Sequence, residues 1–312
     1  MIGTKPVLSL PRPRILAVVA SVVLLVVFVA AVVVTQTSAG PGGTFTAVAP
    51  PASSTRPVPT TTQSTVEATP VPPAYTLNGG NTVIGPSSWW SWALVDRRTG
   101  ASWGGPTADE PTRSVSMITF WLGGLYLREH PQPSQAMLNQ LSTMIRDSNN
   151  DVANDIFFGL GGRLPVVAAM ETVCGVTGPY ILPGWWWAST WISALDVARL
   201  AACLAEGRVA NPQWTEWLLG EMRQVRGGGN FGIRFAFPEP IRSTIAIKNG
   251  WNIEDGVWYV NCLAIGDTWV LATESRSGSF ITGRDVCVGV TEQLLREPVV
   301  PLDIWSPTAA LP

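Results

Sequence analysis

The sequence predicts an α+β domain of the three-layer α/β/α type, in which an antiparallel sheet drawn from both ends of the domain surrounds an inserted all-helical block. Three observations predict it. Strand-like runs with a turn between them open the domain near Trp89, apolar residues recur at helical spacing between Ser116 and Val225, and strand patterns return from Thr244 before a closing helix. Strands at both ends of a helical block form layers when the two sets join in one sheet.

The first quarter of the 312 residues has no globular pattern, so one large domain is expected rather than two small ones. From Ile15 to Val34 no residue is charged and only Ser21 is polar, about the twenty residues that a helix needs to cross hydrocarbon. Lys5, Arg12 and Arg14 precede this run and no basic residue follows until Arg56. That asymmetry puts residues 1–14 in the cytoplasm, a membrane span at 15–35 and the rest outside, in a single-pass cell-membrane topology. A signal cleaved near Thr37 to Ala39 is the competing reading, although the apolar run exceeds the usual length of a signal core. Pro, Thr, Ser, Ala and Gly dominate 36–75, a composition that buries too little apolar surface to order itself, and a disordered tether is expected there. The folded domain is placed at 76–300 and a C-terminal tail at 301–312.

Within the domain, Trp89 to Val95 and Ala101 to Trp103 read as strands around the turn Asp96-Arg97-Arg98-Thr99-Gly100. Ser116 to Tyr126 is apolar on every side, as a central buried helix would be. Met137, Leu138, Leu141, Met144 and Ile145 mark a helix over Ser134 to Ile145 that stops at the polar run Asp147-Ser148-Asn149-Asn150. Further helices are expected from Pro165 to Cys174, from Ser193 to Ala205 behind a Ser-x-x-Asp start, and from Pro212 to Val225. After Gly227-Gly228-Gly229 come strands at Thr244 to Lys248, Val257 to Ala264 and Thr268 to Glu274, then a helix from Arg284 to Leu295.

A formal net charge of -2 spread along the chain supplies no basic field, which excludes nucleic acid as a partner. Charged residues are only 13% of the chain while Trp numbers 15, so apolar area for a core is ample. Cys174, Cys203, Cys262 and Cys287 lack the spacing of a metal site, and neither metal nor cofactor is expected. Four cysteines allow three pairings. Cys174 with Cys203 and Cys262 with Cys287 is the expected one, each closing a loop of roughly 25 to 30 residues, with four buried thiols as the alternative.

Three short stretches concentrate chemistry: Ser116-Met117-Ile118-Thr119 at a buried helix start, Ser148-Asn149-Asn150 between helices, and Lys248-Asn249-Gly250 at the end of an inner strand. Lys248 is also the only lysine outside the N-terminal segment, in a chain that otherwise uses arginine. Lysine can be tuned to give up its proton and arginine cannot, so a specific task is expected for Lys248, against the plain reading of an exposed lysine at a strand end. In order and context the stretches resemble the Ser-x-x-Lys, Ser-Asp-Asn and Lys-Thr-Gly signatures of class A β-lactamases and penicillin-binding proteins. The turn at Asp96 to Gly100, the run from Met144 to Asn154 and the run from Ser193 to Leu200 are similar to the same family, so the resemblance covers roughly 85–297.

The resemblance implies Ser116 as a nucleophile that forms an acyl-enzyme, Ser148 and Lys248 beside it, and Asn150, Asn249 and Gly250 as ligand-binding positions. It also implies a defect. Thr119 stands where the family has the lysine that takes the nucleophile's proton, and Gly178 to Ser193 contains no Asp or Glu to activate a deacylating water. The expectation is therefore an impaired centre that binds peptidoglycan or a related wall peptide, or a β-lactam, with two alternatives: slow hydrolysis using Lys248, and a scaffold without a ligand. His130 at a helix end is expected to be a surface residue. Trp185, Trp186 and Trp187 could form a stacking platform or pack the loop edge. Asp155, Glu171 and Glu254 are expected to be solvated acids.

Overall fold

A computed structural model describes residues 89–296 and 300–305, all within one compact unit. The expected cytoplasmic segment, membrane span and tether lie outside the described residues. Among the described residues no single helix is long and apolar enough to cross a membrane.

Five strands form one antiparallel sheet: β1 (Trp89–Asp96), β2 (Ser102–Gly104), β5 (Ala246–Glu254), β6 (Val257–Ile265) and β7 (Trp269–Ser277), in the order β2-β1-β7-β6-β5. The first strand thus pairs with the last, Trp92 opposite Thr273 and Leu94 opposite Leu271, which closes the sheet across the helical insertion. Two further strands, β3 (Thr112–Arg113) and β4 (Trp191–Ile192), pair as a separate ribbon.

Between the two parts of the sheet run α1 (Thr119–Glu129), α2 (Gln135–Arg146), α3 (Asn150–Gly159), α4 (Arg163–Cys174), α5 (Ala194–Ala205) and α6 (Pro212–Arg223). A single turn, α7 (Ile241–Thr244), leads into β5, and α8 (Phe280–Arg296) closes the domain. Helix α5 packs on β1 and β7, and α8 packs on β6 and β7, so the sheet lies between helical layers as predicted. Helix α1 is the buried centre of the helical block, with Phe120, Trp121 and Leu122 fully inaccessible and α2, α3, α4, α5 and α6 around it.

Local chemistry starts the helices where the sequence indicates. Ser134 caps α2 by accepting from Met137 N–H at 3.2 Å, Ser193 caps α5 by accepting from Asp196 N–H at 3.1 Å, and Asn211 caps α6 by accepting from Trp214 N–H at 3.0 Å. The disulfides are Cys174–Cys203, joining α4 to α5, and Cys262–Cys287, joining β6 to α8. Loops of 29 and 25 residues correspond to about 3.5 kcal/mol of unfolded-state constraint each.

Two elements were not foreseen, and three expectations need correction. Helix α3 was not foreseen, and the ribbon β3–β4 is too short to carry a periodic signal. Strand β5 does not end at Lys248 and is not an inner strand: it continues to Glu254 and forms the sheet edge. The tail does not start at 301, because Ile304 is buried and its carbonyl accepts from the Thr268 hydroxyl at 2.5 Å, while Trp305 meets Trp269 edge-on. Glu254 is not a free acid, since it forms an ion pair with Arg113.

Candidate functional site

Ser116 lies in a short 3-10 turn, Val115–Ile118, that leads directly into α1. The turn is held from outside: Ser114 N–H donates to Thr190 O at 2.8 Å and Met117 N–H to Ser114 O at 3.2 Å. Val115 has φ 45°, a left-handed conformation that costs a β-branched residue about 1 to 3 kcal/mol, and packing on all sides keeps it there. Ser116 itself stays half-buried.

Ser148 also sits at positive φ, 54°, at the corner between α2 and α3. The polar run predicts such a corner and each residue has a part in it. Asp147 caps α2, and Asn149 caps α3 by accepting from Asp151 N–H and Val152 N–H at 3.0 and 3.2 Å. Asn150 opens α3 with its side chain exposed. Arg226 clamps the corner, its guanidinium donating to both oxygens of Asp147 at 2.6 and 2.8 Å.

Lys248 has no accessible surface. Its Nζ donates to Ser148 Oγ at 2.6 Å and to Asn249 O at 3.1 Å. Both partners are neutral, and burial pushes the amine down from its ordinary 10.5 to about 7. Near neutral pH much of this lysine is an uncharged amine that can accept a proton.

Strand alternation divides the third stretch. Lys248 and Gly250 face the helical block, and Gly250 runs so close to the 3-10 turn that a Cβ would sit 2.7 Å from Ser116 N and 2.4 Å from Met117 N. Asn249 points the other way. Its amide donates to Gly229 O at 2.9 Å and Phe231 O at 2.7 Å, inside the protein, which holds the Gly227–Gly229 turn beside Ser148 and gives Asn249 a structural position rather than a ligand-facing one.

Ser116, Ser148, Lys248 and Gly250 therefore come from the turn before α1, the α2–α3 corner and β5 to one place. Thr119 is at the same helix start but spends its hydroxyl on Ser116 O, donating at 2.9 Å, and is almost fully buried. Where the resemblance leads one to look for a carboxylate, the loop before β4 supplies Trp187, whose indole donates to Asn154 Oδ1 on α3 at 2.8 Å. Sequence reasoning gave Asn154 no role beyond closing a family-like run, and it missed Arg226 and Val115, for which no motif stands out. It could have found the outward turn of Asn249 from strand parity alone. His130 is exposed, stacked on Tyr126 at the end of α1, and Asp155 and Glu171 are exposed.

No protein-family model matches the sequence, and no curated protein matches it. Solved structures do. A β-lactamase from Streptosporangium roseum is similar with TM-score 0.57 at 14% identity, covering 69% of this chain and 94% of that one. A β-lactamase from Chitinophaga pinensis is similar with TM-score 0.54 at 15% identity, covering 67% and 93%. PBP-A is similar with TM-score 0.55 at 16% identity, covering 68% and 90%, and a mutant of it has been solved as an acyl-enzyme complex with penicillin G. The domain has the fold of class A β-lactamases and penicillin-binding proteins.

Proposed function

We propose that the cleft at Ser116 is an impaired acyl-transfer centre that binds peptidoglycan or a related wall peptide, acylates slowly on Ser116 and does not turn over efficiently, in a domain anchored outside the cytoplasm by the apolar segment at 15–35. The observation that carries the reading is the 2.6 Å bond between Lys248 Nζ and Ser148 Oγ, on an amine that burial brings to about 7. A proton acceptor works best when its pKa lies near the working pH.

In the proposed step Ser116 Oγ attacks an amide or lactam carbonyl while its proton passes to Ser148 Oγ, and the Ser148 proton passes to neutral Lys248 Nζ. Collapse of the tetrahedral adduct breaks the C–N bond, and the proton returns through Ser148 to the leaving nitrogen. The product is an ester on Ser116. Its hydrolysis needs an activated water, and Trp187, which faces Asn154, offers no base for one. A positioned base contributes about 10² to 10⁴ in rate, so loss of both the helix lysine at Thr119 and the loop carboxylate leaves formation slow and release slower.

The test is labelling with a fluorescent penicillin, chosen because a mutant of the structurally similar PBP-A has been solved as an acyl-enzyme with penicillin G. A slowly formed adduct is expected on Ser116, absent in Ser116→Ala and in Lys248→Arg, with a rate that climbs as pH rises through about 7. Rapid turnover of a chromogenic cephalosporin, or an adduct that survives in Ser116→Ala, overturns the proposal.

A second reading, a ligand-binding domain without acylation, is favoured by the Thr119 hydroxyl being committed to Ser116 O. It predicts saturable binding of wall peptide with no adduct at any pH.

A further inference from the structure

The loop between α4 and β4 carries three consecutive tryptophans that divide sharply. Trp187 is buried, whereas Trp185 and Trp186 remain 43% and 51% exposed. Two large aromatic side chains left half in water on one loop forgo burial that a folded chain ordinarily takes, and exposed apolar patches of this kind mark recognition surfaces.

Trp185 belongs to a fixed surface, and Trp186 beside it meets the exposed Phe158 of α3 edge-on at 5.6 Å. Trp185 lies on the Arg113 guanidinium at 4.8 Å, and Trp191 and Tyr259 face the same cation at 5.8 Å each. The other pole of Arg113 is paired with Glu254. Tyr180, 42% exposed, stacks parallel to Trp191 with centroids 6.1 Å apart. The surface is also continuous with the cleft wall, since Arg113 pairs with Trp191 in the β3–β4 ribbon and the next residue, Ser114, is bonded to Thr190 O two positions before Ser116.

We propose that this aromatic platform binds the pyranose units of a glycan strand whose attached peptide enters the Ser116 cleft. The inference rests on the reading of that cleft as a wall-peptide site and names the second half of its ligand. A pyranose ring presents an apolar C–H face and a rim of hydroxyls. Indole faces match the first, and the Arg113–Glu254 pair and the Tyr180 hydroxyl match the second. A lipid surface matches less well, because covering these rings also covers a charged pair at the centre of the patch.

The experiment titrates the full chain with a disaccharide-peptide, the same peptide without sugar, an N-acetylglucosamine tetramer and phospholipid vesicles, reading tryptophan fluorescence and calorimetric heat. The disaccharide-peptide is expected to bind roughly tenfold more tightly than the bare peptide, the scale of one good ring contact. Trp185→Ala and Trp186→Ala, separately and together, are expected to erase that difference while penicillin labelling of Ser116 continues. Equal affinity for both peptides, or vesicle binding that the same variants abolish without any sugar binding, overturns the platform. Tetramer binding that the tryptophan variants abolish, in a chain that penicillin never labels, leaves the platform standing and removes the acylation reading instead.

Discussion

Lys248 combines full burial with hydrogen bonds to two neutral groups, the Ser148 hydroxyl and the Asn249 carbonyl. Its amine falls from 10.5 to about 7 in the folded chain, which makes an ammonium there unfavourable by on the order of 5 kcal/mol. The sign follows from proton counting. Between about 7 and 10.5 the unfolded chain binds a proton that the folded chain has lost, so stability rises with pH across that window and falls as pH drops through it. Lys248→Met fills the same space without a charge and sacrifices the bonds to Ser148 and to the Asn249 carbonyl, about 1 kcal/mol each. The variant is expected to be more stable than the natural chain by a few kcal/mol at pH 6 and to lose most of that advantage by pH 10, as urea unfolding at both pH values will measure. Equal stability at pH 6 would show that the amine is already well solvated. A residue whose removal stabilises the fold is one whose retention calls for a task, and the bond to Ser148 indicates where that task lies.

The seam between β5 and the turn Val115–Ile118 is the element on which the site depends. Gly250 allows the strand to lie against the backbone at Ser116 and Met117, and the obstacle to any larger residue is main chain, which cannot swing aside. Gly250→Ala is expected to cost about 1 to 3 kcal/mol in thermal unfolding and to abolish labelling of Ser116, because β5 must move and carries Lys248 with it. Unchanged labelling in a folded Gly250→Ala protein would mean that Lys248 and Ser116 do not act together. Much at this scale was legible in the sequence. The all-apolar run of α1, the Ser193 start of α5, the Pro212 start of α6 and the strand patterns of β1, β6 and β7 each carry a local physical signal that nothing in the tertiary structure opposes. What stayed hidden lacks such a signal. Helix α3 begins inside a polar run that equally suits a loop, the β3–β4 ribbon has two residues per strand, and β5 reads as finished at Lys248 because Asn249 and Gly250 are poor strand formers. The three short stretches were visible as motifs, while the partner contacts of Asn249, Trp187 and Arg226 depend on segments 18 to 79 residues away, a separation that no periodicity spans.

At the scale of the whole molecule the three layers meet around Glu274, which lies in β7 between Asn261 and Ser91 of the flanking strands and has no accessible surface. Neither carboxyl oxygen has a hydrogen-bond partner among the described residues. Burial raises its pKa well above 4.5, the nearby Asp196 on α5 raises it further, and Arg276 on the same strand opposes them. The folded domain therefore holds Glu274 as a neutral acid. Above 4.5 the unfolded chain releases this proton and the folded chain keeps it, so the stability that Glu274 contributes is complete below 4.5 and is lost as pH rises toward its folded value. While that imbalance is one full proton, each pH unit removes about 1.4 kcal/mol. Lys248 has the opposite slope but is protonated in both states below about 7, which leaves pH 4.5 to 7 as a window in which Glu274 can be read by difference. Glu274→Gln keeps the shape and discards the titration. Its melting temperature relative to the natural chain is expected to be within a few degrees at pH 4.5 and to climb as pH rises from there toward the folded value, measured by calorimetry at half-unit steps. Parallel melting curves across the window would mean that Glu274 ionises normally, and with it would go the picture of a sheet packed tightly enough between α5 and α8 to exclude water from its centre.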